Sequence, residues 1–91
     1  MSQFNSVTIP KQVMARQVGD ETVILDLASG TYFGLDPVGT RIWQLLAEGR
    51  TLAQVSEVIL AEYDVLREEV EQDLDQLVKE LSARKLIELV I

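Results

Sequence analysis

The sequence predicts an α+β domain in which a three-stranded antiparallel sheet precedes three helices. Three observations predict it. Residues 13–35 hold short β-branched and aromatic runs separated by glycine-containing connections, Asp36-Pro37 marks an abrupt change of period, and the remainder carries three amphipathic helical patterns. At 91 residues the chain has room for one core, burying roughly 60% of the surface that its unfolded form exposes. We divide it into an N-terminal arm, residues 1–12, and a domain spanning residues 13–91.

Each element has a local reason. In the arm, Val7-Thr-Ile9 alternates apolar and polar residues before Pro10, the pattern of a short strand. Val13 to Val18 and Thr22 to Leu27 form a hairpin around Gly19-Asp20-Glu21. Ala28-Ser29-Gly30 is a second short connection, so Thr31 to Leu35 becomes the third strand of a meander. Because the middle strand of a meander is the second, Thr31 to Leu35 is an edge.

Asp36 is a good N-cap and Pro37 fits the first helical position, so a helix runs from about Pro37 to Glu48 and stops at Gly49. Its apolar face is Val38, Ile42, Leu45 and Leu46, and Trp43 reads as a core residue. Thr51 and Gln54 make a capping box for a second helix, whose stripe is Leu52, Val55, Val58, Ile59 and Tyr63 and which ends near Asp64. A third helix, about Arg67 to Arg84, carries Val70, Leu74, Leu77, Val78 and Leu81 on one broad face. Leu86 to Ile91 is a short extended tail. The order resembles a winged helix with its sheet moved to the front.

Composition excludes most chemistry. The chain has no cysteine and no histidine, so thiol nucleophiles, disulfides and the commonest general base and metal ligand are missing. Ser29, Ser56 and Ser82 have no histidine to activate them, and no catalytic residue is expected. Asp73 and Asp75 diverge around the helix, and Glu68 with Glu71 lacks the glycine-rich loop and crowded oxygens of a calcium site, so neither a metal nor a cofactor is expected.

The start, Met-Ser-Gln-Phe-Asn-Ser, lacks the basic and apolar regions of a signal peptide, and no apolar run is long enough to span a bilayer. A cytoplasmic location and no membrane contact are expected. Net charge is -7, and the third helix sets six acids against Arg67, Lys79 and Arg84. A helix that reads DNA has the opposite balance, so nucleic acid is not an expected partner, and a winged-helix regulator is only an alternative.

The edge strand is unusual. Proteins blunt exposed edges with lysine, proline or a bulge, yet Thr31-Tyr-Phe-Gly-Leu35 contains neither lysine nor proline, and only Gly34 hints at a bulge. Either another element covers it or it is kept for a partner strand. An edge of this kind can also pair with its own copy, so a homodimer by strand or helix exchange is a further alternative.

Val23-Ile-Leu-Asp-Leu-Ala-Ser-Gly-Thr-Tyr-Phe-Gly-Leu-Asp-Pro-Val-Gly-Thr-Arg-Ile-Trp-Gln-Leu-Leu46, followed by Glu48-Gly49, Thr51 and Glu62-Tyr-Asp-Val65, resembles the PqqD-like proteins. These are small leader-peptide-binding domains, or recognition elements, of ribosomally made and post-translationally modified peptides. The resemblance runs from about Val13 to Glu88. Its G-x-Y-F-x-L-D and V-G-x-R-I-W segments are most similar to the stand-alone members of lasso-peptide pathways. The member that serves pyrroloquinoline quinone synthesis, a peptide chaperone, is the alternative. Two residues depart from the family pattern: Leu66 stands where the third helix usually has a serine or aspartate cap, and Lys85 where a glycine commonly precedes Leu-Ile.

The resemblance implies a non-catalytic adaptor. In that family the leader adds as an antiparallel strand to the third strand, with its apolar side chains in a groove against the third helix. Carried onto this sequence, the strand is Thr31, Tyr32, Phe33, Gly34 and Leu35, and the helix wall is drawn from Val70, Asp73, Leu74, Leu77, Val78 and Leu81. The implied partners are a precursor peptide's leader and a leader peptidase or other peptide-modifying enzyme. Acids at the rim, Asp73 first, favour a leader with a nearby lysine or arginine.

Overall fold

The computed structural model of the chain describes residues 6–90. The first five residues of the expected arm, and Ile91 of the expected tail, lie outside the described residues. The elements are β1 (Ser6–Thr8), β2 (Val13–Val18), β3 (Glu21–Asp26), β4 (Tyr32–Leu35), α1 (Pro37–Ala47), α2 (Leu52–Glu62), α3 (Arg67–Ala83) and β5 (Glu88–Val90). The α+β order of a three-stranded antiparallel sheet followed by three helices is the one the sequence predicts.

The sheet is a meander, β2-β3-β4, in continuous register from Val13 opposite Asp26 to Val18 opposite Glu21, and from Thr22 opposite Leu35 to Leu25 opposite Tyr32. Gly34 pairs directly with Val23, so no bulge interrupts the edge strand. The β2-β3 hairpin closes over only two residues, with Gly19 at φ 65° in the first of them, where the Cβ of any other residue would strain the turn. Between β3 and β4 the buried Asp26 organises the connection: its carboxylate accepts from the Ala28 N–H and the Ser29 hydroxyl, each at 3.0 Å. A buried acid is stable there because a loop donor satisfies each oxygen.

Alternation sorts the sheet into two faces. Val13, Ile24 and Leu35 are buried against the helices, whereas Met14, Val23 and Tyr32 stand exposed on the other side. Asp36 caps α1 by accepting from the Gly39 N–H at 2.7 Å, and Thr51 and Gln54 form the reciprocal capping box of α2. Ile42, Trp43, Leu45, Leu46, Leu52, Val55 and Ile59 join the α3 stripe in one core. The ends of the described chain meet, because β1 pairs antiparallel with β5 and buries Val7. None of the described helices is long and apolar enough to cross a membrane.

Candidate functional site

β4 is the edge of the sheet next to α3, and the space between them is a groove of about 560 Å³. One wall is Phe33, Gly34 and Leu35 of β4. The opposite wall is Glu69, Val70, Asp73, Gln76, Leu77 and Glu80 of α3. Val38 and Ile42 of α1, Ile59 of α2, and Tyr63 and Val65 of the α2-α3 link supply an apolar floor.

The free edge of β4 is defined by its pairing with β3. In an antiparallel pair, hydrogen-bonded and non-hydrogen-bonded positions alternate. The Asp26 N–H donates to the Thr31 carbonyl at 2.9 Å, so the Thr31, Phe33 and Leu35 backbones face β3. The N–H and C=O of Tyr32 and of Gly34 therefore face outward, which makes four main-chain groups available to an added strand. Around Gly34 nothing lies within 4 Å of where a Cβ would sit, so a strand there meets no side chain.

Helical geometry explains which α3 side chains reach the groove. Val70, Leu74, Val78 and Leu81 recur at i, i+4, i+8 and i+11 and are all buried. Glu69, Asp73, Leu77 and Glu80 repeat the same spacing one residue earlier, about 100° around the helix, and border the groove. Of the residues expected at the helix wall, Val70, Asp73 and Leu77 line the groove, while Leu74, Val78 and Leu81 face the core.

On the strand wall, Phe33, Gly34 and Leu35 border the groove, Thr31 precedes β4, and the Tyr32 side chain is 73% exposed on the outward face. Sequence reading missed Glu69 and Glu80, which the offset helical repeat reveals, and Gln76, which lies beside that repeat. It also missed the floor, whose residues come from three separate segments with no common period.

Some acids on the other faces are paired: Glu62 with Arg41 at 2.8 Å, Glu57 with Arg67 at 2.8 Å and Asp75 with Lys79 at 2.9 Å. Others there, Glu68 and Glu71 among them, form no salt bridge among the described residues. Hydrogen bonds from Arg41 and from Arg67 hold the Glu62 and Glu57 carboxyls below the usual carboxylate range. Among the described residues Glu69, Asp73 and Glu80 have no such cationic partner, although the Arg84 guanidinium sits over the Phe33 ring, 4.9 Å from its centroid, at one end of the groove. Among the described residues no three acidic side chains come together as a metal-binding group.

The family model of coenzyme PQQ synthesis protein D (PqqD) matches residues 21–87. The chain belongs to the PqqD family. Two solved structures are similar to this PqqD-family chain. One is TbiB1 in complex with the TbiA(beta) leader peptide, 44% identical with a TM-score of 0.84, covering 88% of this chain and 93% of that one. The other is lasso peptide synthetase B1 complexed with the leader peptide, 28% identical with a TM-score of 0.82, covering 90% of this chain and 96% of that one. A comparison with curated proteins finds no match.

Proposed function

We propose that this PqqD-family chain is a non-catalytic adaptor of lasso-peptide biosynthesis. It binds the leader of a ribosomally made precursor by strand addition and presents the precursor to a separate leader peptidase or other modifying enzyme. The observation that carries this reading is an edge strand, unpaired on one side among the described residues, facing an apolar-floored groove in a chain similar to two proteins solved with leader peptides. Strand addition takes affinity from main-chain bonds and specificity from alternate side chains.

The magnitudes require both walls. About four main-chain hydrogen bonds at about 1 kcal/mol each do little more than offset ordering a few peptide residues at about 1–2 kcal/mol apiece. Micromolar affinity corresponds to about -8 kcal/mol. Two or three apolar side chains, each contributing about 1.5–3 kcal/mol on the groove floor, supply the rest.

An adaptor also needs a surface for its enzyme that leader binding leaves free. The outward sheet face offers one, since Met14 of β2, Val23 of β3 and Tyr32 of β4 are exposed there on successive strands.

Titrating the protein into a fluorescently labelled TbiA(beta) leader peptide, and into leaders of short precursors encoded beside its own gene, tests the reading by polarisation. Binding at micromolar levels or tighter, weakened by Phe33→Lys in a variant whose circular dichroism is unchanged, supports it. No binding of any leader up to about 100 μM, the level of about -5.5 kcal/mol, overturns it. Concentration-dependent size in solution then favours pairing of the edge with its own copy.

A further inference from the structure

The groove is not electrically uniform along its length, and this bears on the order in which a bound peptide presents its side chains. Arg84 stacks on Phe33, so one end of the groove is where the C-terminus of α3 meets β4. Moving away from Arg84, the α3 wall continues through Glu80, Leu77 and Asp73 to Glu69, while the β4 wall continues from Phe33 to Leu35 and Asp36. Glu80 is close in sequence to Arg84 and shares its end of the groove. Asp36, Glu69 and Asp73 gather at the other end with no cation paired to them among the described residues.

The edge chemistry fixes which peptide side chains meet this wall. Main-chain bonds to Tyr32 and Gly34 place the partner residues opposite them on the outward face. Residues opposite Phe33 and Leu35 turn inward, and inward positions recur every second residue, about 6.6–6.8 Å along a strand. Four helical residues advance about 6 Å, so successive inward side chains meet successive α3 residues of the series Glu69, Asp73 and Leu77. An antiparallel strand enters at the Leu35 end and leaves at the Phe33 end.

We propose that the groove reads a directional charge pattern: a lysine or arginine facing Asp36, Glu69 and Asp73, followed two or four residues later by the apolar side chain that packs on Leu77. The basic residue lays its aliphatic stem on Val70 and keeps its charged head at the acidic rim. Antiparallel addition puts the basic residue on the N-terminal side of the apolar anchor, and parallel addition would reverse the order. The inference rests on the leader-binding reading and adds to it the peptide's charge, spacing and direction.

Polarisation with scanned TbiA(beta) leader peptides tests it. An alanine scan locates the apolar anchor, and lysine and glutamate scans then give the affinity ratio for opposite charges at every position. At low ionic strength the ratio is expected to peak, at about fivefold or more, two or four residues N-terminal to the anchor. It should fall towards one in the Glu69→Gln, Asp73→Asn double variant and at high salt. A ratio near one at every position, or a peak on the C-terminal side, overturns the charge pattern while leaving leader binding intact. Failure of every peptide to bind overturns leader binding itself, and the pattern with it.

Discussion

The two long sides of α3 have the same helical spacing and opposite surroundings. Val70, Leu74, Val78 and Leu81 are buried, with Val70 alone of the four also bordering the groove, whereas one residue earlier in each turn Glu69, Asp73, Leu77 and Glu80 look across the groove at β4. A rotation of about 100° separates a surface that holds the domain together from one free to hold something else. Stability and binding are therefore separable on a single helix, and substitutions should divide them.

The largest effect belongs to the core side. Leu81 is fully buried, and Leu81→Ala removes its packing and leaves a cavity, which costs about 2–5 kcal/mol. A small domain is stable by only about 5–15 kcal/mol, so urea unfolding should show a much lower midpoint. The fraction that remains folded should bind leader normally. A weakened intrinsic affinity at full folding would place Leu81 in the groove and break the comparison.

On the groove side the expectation reverses. Leu77 is half-buried between the core and the open groove, so Leu77→Ser should lower stability by only about 1 kcal/mol. It also removes an apolar contact for the peptide, and leader affinity should fall roughly tenfold, as expected for about 1.5 kcal/mol of lost burial. Urea melts together with polarisation titrations check both numbers. A large stability loss with unchanged affinity would mean that Leu77 belongs to the core.

This division was only partly legible in the sequence. Local signals were clear: the Asp36-Pro37 junction, the Thr51 and Gln54 capping box and the apolar stripes gave the order and near boundaries of the helices. The edge position of β4 followed from meander topology. Which α3 leucine faces which neighbour did not follow, because Leu74, Leu77 and Leu81 are chemically alike and only packing against α2 and the sheet sets the rotation. Tyr32 and Phe33 are both expected on the leader-binding strand, yet the strand pleat sends their side chains to opposite faces. The pairing of Ser6–Thr8 with Glu88–Val90 joins two three-residue segments from distant parts of the chain, where neither carries enough pattern to name its partner.

A smaller effect sharpens the comparison by moving stability alone. The ends of α1 and α3 use the same hydrogen bonds: Gly49 to Leu46 and Arg50 to Leu45 in one, Lys85 to Ser82 and Leu86 to Leu81 in the other. Gly49 takes a positive φ without a Cβ, but Lys85 holds φ 61° with a full side chain. Relieving that strain outweighs the added freedom of the unfolded chain, so Lys85→Gly should stabilise the domain by about 0.5–1 kcal/mol. Its thermal midpoint should rise by a few degrees, with leader affinity unchanged. A lower midpoint would mean that the lysine side chain contributes more than its backbone strain removes.

The smallest effect lies on the other wall of the groove. Tyr32 contributes its N–H and C=O to the free edge, but its side chain points to the outward face. Tyr32→Ser keeps the backbone groups and removes only the ring, so leader affinity should stay within about twofold, below the usual effect of a contact residue. Phe33→Ser, one position along and facing the groove, should weaken the same peptide severalfold more. Equal losses from the two substitutions would show that peptide side chains wrap around the edge onto the outward face, and that the two sides of β4 are not independent surfaces.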